Sequence, residues 1–226
     1  MTSFPVRDQT NDHLLTPKNS ALIIIDYQPT QVNSIVSMDR QLLVDNIVRV
    51  ATTAKIFGLP IVLSTVNVKT GYNQPTIPPF KKVLPQQLEF DRTQINAWED
   101  KDFNEAVKAT KRKKLVMCAL WTEACLTFPG LDALKEGYEV YPVVDAVGGT
   151  SVVAHETALQ RLAQAGSQNI SWAQFACELQ RDWNRLATAK EFSEIFTAPN
   201  SPLVRDAQQR EKITFSEPST VQAIVK

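Results

Sequence analysis

The chain has 226 residues, 43% of them hydrophobic, which is enough for one domain with a sizeable buried core. Its 24 basic residues balance 24 acidic ones, and this zero formal net charge excludes the electrostatic footprint of a nucleic-acid or anionic-membrane binder. No apolar run reaches the roughly 20 residues of a spanning helix and no basic-then-apolar signal opens the chain, so a soluble, cytoplasmic protein is expected.

In chain order, ALIIID (21–26) is a continuous apolar run closed by an acid, as in a strand buried on both faces. Residues 39–58 place Leu42, Leu43, Ile47, Val50, Ala51, Ala54 and Phe57 at helical spacing before Gly58 and Pro60. PIVLSTV (60–66) predicts a second strand, and the proline-rich stretch 67–90 reads as irregular. A helix over 101–112 leads to the strand KLVMCAL (114–120), then a helix over 123–136 and the strand YEVYPVVD (138–145). A helix over 152–165 and a short strand NISW (169–172) follow. The polar stretch 186–226 reads as a helical extension and tail, a candidate subunit contact appended to the 1–185 domain. Such alternation predicts a three-layer α/β/α fold with a mostly parallel central sheet, whose ligands collect beyond the carboxyl ends of the strands.

Chemistry is therefore sought at Asp26, Thr65 to Val68, Leu120 to Cys125, and Asp145 to Thr150. GxGxxG, GxxxxGK[ST] and GxSxG are all absent, which disfavours nucleotide cradles and serine elbows. Three cysteines cannot all pair, and two distant histidines without CxxC or HExxH offer no metal-ligand spacing. Neither a metal site nor a cofactor is expected. Cys125 stands at the start of a helix, where amide donors and the helix dipole would lower its thiol pKa and form an oxyanion hole. Asp26, ending the first strand, could take the thiol proton if the two strands are neighbours. Cys118 and Cys177 take core positions, Asp145 a turn or capping role, and His155 packs beside Leu159 and Leu162 on its helix.

ALIIIDYQ, RTQINAWEDKDFNEAVKAT, LVMCALWTEACLTFPGLDALKEGYEVYPVVDA and ACELQRDW together resemble the isochorismatase-like cysteine hydrolases, nearest their YcaC-like group, over about residues 17 to 185. The resemblance implies a catalytic triad of Asp26, Arg92 and Cys125. It also implies a non-proline cis peptide at Leu120–Trp121, and an oxyanion hole from the amides of Trp121 and Cys125. Most of the wider family has lysine at the Arg92 position. Nicotinamidases of the superfamily carry an Asp-x-His metal site after the second strand, where this chain reads STVNVKTGYNQP, without histidine. The implied activity is metal-independent cleavage of a C–N bond in a small amide through a covalent Cys125 intermediate. The implied assembly is a homo-oligomer, an octamer being one form. Tyr27, Tyr72, Trp98, Trp121 and Phe128 are the aromatic residues near the expected cleft, and Asn33 and Glu123 its polar contacts. The rival reading is a catalytically idle assembly or binding member of the same fold. A receiver-like signalling domain fails because its acidic pair is here the single Asp26.

Overall fold

The computed structural model describes residues 7–197. Five strands, β1 (Ser20–Ile25), β2 (Ile61–Val66), β3 (Glu89–Arg92), β4 (Lys114–Ala119) and β5 (Glu139–Pro142), form one sheet in the order β3-β2-β1-β4-β5. Every pairing is parallel. β1 and β4, at the centre, are buried at every position, which is why their sequences read as unbroken apolar runs.

Eight α-helices accompany the sheet among the described residues: α1 (Pro29–Asn33), α2 (Arg40–Ile56), α3 (Pro78–Val83), α4 (Lys101–Ala109), α5 (Thr127–Lys135), α6 (Val152–Gln164), α7 (Trp172–Gln180) and α8 (Leu186–Thr197). Side-chain caps fix several of their starts. Asp39 accepts from the Leu42 amide, Asp100 from Phe103, Ser151 from Ala154 and Ser171 from Gln174. Gly58, at φ +65°, ends α2 in the left-handed region that glycine enters without cost. The crossovers from β1 to β2 and from β4 to β5 run in opposite directions across the sheet. With right-handed connections, α2 and α5 therefore cover opposite faces, giving the three layers. α7 and α8 pack on the α2 side, where Phe192 and Ile195 of α8 are buried. The expected tail beyond Thr197 lies outside the described residues.

Four stretches differ from the sequence expectation. The stretch 67–90 contains α3 and runs into β3, a four-residue edge strand too short to show a period and masked by the prolines before it. The expected strand over 138–145 stops at Pro142, and 169–172 contributes only a single bridge between Val143 and Ile170. The helix expected from 123 is preceded by a π-helical turn, Thr122–Leu126, with α5 starting at Thr127.

The chain leaves β1 toward β2 and β3, then returns to the other side of β1 to form β4 and β5. The strand order thus reverses between β1 and β4, and the crevice beyond their carboxyl ends is where such sheets hold ligands.

Candidate active site

Ile25 pairs with Ala119, and the Leu120 amide donates to the Ile25 carbonyl at 3.1 Å, so Asp26 and the turn after β4 emerge side by side. Asp26 adopts φ +64°, a left-handed conformation that aspartate and asparagine tolerate better than other side chains. Its side chain and that of Arg92 are fully buried. Arg92 Nη1 donates to Asp26 Oδ1 and Nη2 to Oδ2, both at 2.7 Å, so both carboxylate oxygens are gripped in a fork. Nη1 also donates to Ser64 Oγ and to the Thr65 carbonyl, each at 3.0 Å, and Nη2 to the Ile95 carbonyl at 3.3 Å. Arg92 Nε is buried without a partner among the described residues. The edge strand β3 thus delivers Arg92, and β2 holds it in place.

Cys125 is 8% exposed and faces the Asp26 carboxylate, and the backbone amide of Trp121 faces its sulfur. The Leu120–Trp121 peptide is cis. Burial above all, and then the Asp26 charge, push the Cys125 thiol up to about 12; Arg92 and the Trp121 amide pull the other way and are outweighed. The expected lowering by a helix N-terminus is therefore corrected. The sulfur sits inside a buried π turn beside a carboxylate, and these dominate any helix dipole. Burial also raises the Asp26 carboxyl, against the pull of Arg92, which makes it a stronger proton acceptor than an exposed aspartate. Burial works against the charge of Arg92, but the Asp26 hydrogen bonds and charge more than offset it, so the guanidinium stays protonated. At rest the three groups are carboxylate, guanidinium and thiol.

The rim is built from backbone and small polar groups. The Thr122 amide donates to the Gly148 carbonyl at 2.9 Å, and the Gly149 carbonyl accepts from the Val36 and Ser37 amides at 3.1 and 3.3 Å. A Cβ at Gly149 would lie 2.6 Å from Glu123 Oε2 and 3.2 Å from the His155 Cα, so a larger residue here would have to displace the Glu123 carboxylate and press on the α6 backbone. The Trp121 indole donates to Ser34 Oγ at 2.6 Å.

Of the expected substrate contacts, Glu123 is half-buried near this turn. Its Oε1 accepts the Thr150 amide and hydroxyl, at 2.9 and 2.6 Å. Asn33, at the end of α1, and Phe128 are exposed. Tyr27 and Trp98 are corrected to packing roles. Tyr27 is fully buried, stacks on Phe80 and donates its hydroxyl to the Ala146 carbonyl. Trp98 donates to Glu136 at 2.8 Å and meets Tyr138 edge-on, at the opposite, amino edge of the sheet. Tyr72 is 86% exposed. Cys118 is core, whereas Cys177 is corrected from a core position to an exposed one on α7. Asp145 accepts from the Trp172 amide at 2.8 Å and so caps α7.

Sequence reasoning placed Thr65 at a strand end where chemistry is sought but missed Ser64 beside it, whose only signal was a polar residue interrupting the apolar PIVLSTV run. It also missed Gln28, which ties the loop after β2 by donating to the Val66 and Gln74 carbonyls and accepting the Val66 amide. Among the described residues, no group of three or more His, Cys, Asp or Glu is placed to hold a metal ion. No helix among them is long and apolar enough to cross a membrane.

Residues 20–174 match the isochorismatase domain family. The chain is similar to the probable hydrolase YcaC of Escherichia coli K12, with 36% identity over 170 residues, 75% of this chain and 81% of that protein. Among solved structures it is similar to YcaC from Pseudomonas aeruginosa with hexane-2,5-diol and covalent acrylamide, at TM-score 0.80 and 32% identity over 89% of this chain and 98% of that one. It is also similar to Escherichia coli YcaC, described as an octameric hydrolase of unknown specificity, at TM-score 0.78 and 32% identity over 88% and 98%.

Proposed function

The chain belongs to the isochorismatase domain family and is a hydrolase, and on that premise we propose a metal-independent cysteine hydrolase that cleaves the C–N bond of a small amide through a covalent Cys125 intermediate. The observation that carries this reading is the single carboxylate of Asp26, forked by Arg92 and facing Cys125 at the strand-order reversal.

Asp26 takes the thiol proton as the sulfur attacks the amide carbon, forming the S–C bond. The amides of Trp121 and Cys125 receive the charge that develops on the carbonyl oxygen. The C–N bond then breaks, and Asp26 returns its proton to the leaving nitrogen. Water, deprotonated by Asp26, attacks the thioester and frees the acid, and the departing sulfur takes back the proton. Arginine cannot release its proton at working pH, so Arg92 holds Asp26 and balances its charge while Asp26 carries both transfers. The raised carboxyl and the high resting thiol suit this concerted arrangement better than a preformed thiolate.

Covalent acrylamide in the Pseudomonas aeruginosa protein supports a cleft that admits small amides. The octamer of the Escherichia coli protein supports a homo-oligomer here, with the stretch after residue 186 as a candidate contact. The test is peptide mass mapping after acrylamide treatment, followed by ammonia release from a panel of small primary amides. A single adduct on Cys125 and turnover that vanishes in Cys125→Ala are expected. Equal labelling of all three cysteines, or turnover surviving the substitution, would favour an idle cleft.

A further inference from the structure

Thr122 follows the residue whose amide faces the Cys125 sulfur, and its polar groups are all held. Its amide donates to the Gly148 carbonyl at 2.9 Å, and its carbonyl accepts the Thr127 hydroxyl at 2.6 Å. Its own hydroxyl, on a fully buried residue, meets His155 Nδ1 at 2.8 Å and no other partner among the described residues. The first two bonds come from the loop after β5 and from the first residue of α5. The third comes from a separate element, α6, and ties the turn to that helix. A buried hydroxyl with one partner satisfies its hydrogen only by donating, so Nδ1 accepts, and the imidazole is neutral with its proton on Nε2. Charges facing the ring are Glu123 from the π turn and Glu156 from α6. Burial lowers the His155 pKa and outweighs both of them.

We propose that His155 is a positioning residue for the oxyanion site: its neutral Nδ1 accepts the Thr122 hydroxyl and so holds the Trp121 amide against the sulfur, and protonation of the ring releases that hold. On protonation both ring nitrogens donate, the Thr122 hydroxyl must turn away, and its buried hydrogen loses its acceptor. The inference rests on the cysteine hydrolase reading above and deepens it.

Two electrophiles separate aiming of the oxyanion donors from activation of the sulfur. In acrylamide addition the S–C bond forms at the β-carbon and the π pair moves onto the carbonyl oxygen. The proton that left sulfur for Asp26 then goes to the α-carbon. In iodoacetamide alkylation the sulfur displaces iodide and no oxyanion forms. With full-length protein and peptide mass readout at Cys125, His155→Ala should slow acrylamide addition about tenfold while iodoacetamide changes less than about twofold. His155→Asn, whose amide oxygen can accept near the Nδ1 position without titrating, should recover most of the loss. In the wild type, the ratio of acrylamide to iodoacetamide rates should hold through the ordinary histidine value of about 6.5 and fall at pH below it, because burial lowers the His155 pKa, and it should stay level in His155→Asn. Equal slowing of both reagents, no slowing, or a level wild-type ratio would overturn the role of His155. Wild-type protein that forms no Cys125 adduct would overturn the nucleophile reading itself. Normal wild-type labelling with indifferent variants would remove His155 alone.

Discussion

Cys118 and Cys125 lie seven residues apart, one inside β4 and one in the turn beyond it, and burial raises both thiols. They differ in what shares their proton. Cys118 faces Tyr27, a phenol that burial pushes well above its ordinary value and whose hydroxyl is already committed to the Ala146 carbonyl. The nearby Asp145 carboxyl accepts the Trp172 amide and only adds repulsion to a Cys118 thiolate. Cys125 faces a carboxylate that a guanidinium holds by both oxygens. Burial therefore distinguishes neither thiol from the other. The distinction is a proton acceptor of suitable basicity, aimed at one sulfur and kept charged by a fixed cation.

The strongest way to break this comparison is to delete the nucleophile. Cys125→Ala should lower amide turnover by at least about 10³-fold and abolish the acrylamide adduct, with an unchanged circular dichroism spectrum. Next comes Asp26→Asn, which removes the acceptor and leaves the Arg92 charge unpaired. It should cost about 10²-fold or more in turnover and about 3–5 kcal/mol in stability by urea unfolding. Arg92→Lys is milder. One ammonium cannot replace a fork that also reaches Ser64 and Thr65, so turnover should fall about tenfold with KM little changed; a rise would mean that arginine detunes the site.

The pH profile sharpens the same contrast. Activity needs ionised Asp26, whose carboxyl is raised by burial, so the acid limb of kcat/KM should lie above the usual carboxylate range near 4. Activity is lost as pH falls through that raised value. No alkaline change should appear near pH 9, where a free thiol ionises, because the Cys125 thiol is held up to about 12; a step near 9 would contradict a proton shared with Asp26. The smallest effect on function is expected from Cys118→Ala: about 1–2 kcal/mol lost from a small cavity, with turnover within about twofold of the wild type.

The parallel architecture was legible because both central strands are buried on every face and so read as apolar runs, and because strand-like and helix-like stretches alternate along the chain. Asp26 was legible as a strand-terminal acid, and TEAC as a block in family order. β3 was not, since four residues on a sheet edge carry no periodicity. The π turn was equally hidden, because its Leu126-to-Trp121 bond is a backbone choice that no side chain encodes.

By itself, then, the amino-acid order determined which segments are buried, where they stop, and which acid and which sulfur stand at those stops, because hydrophobic period and capping are local properties. The tertiary structure alone decided that β1 and β4 are neighbours, that Arg92 reaches Asp26 across β2, that Tyr27 and Trp98 point elsewhere, and that His155 meets Thr122. It also reversed the expected direction of the Cys125 thiol, because a pKa depends on the burial and charges that distant segments bring together.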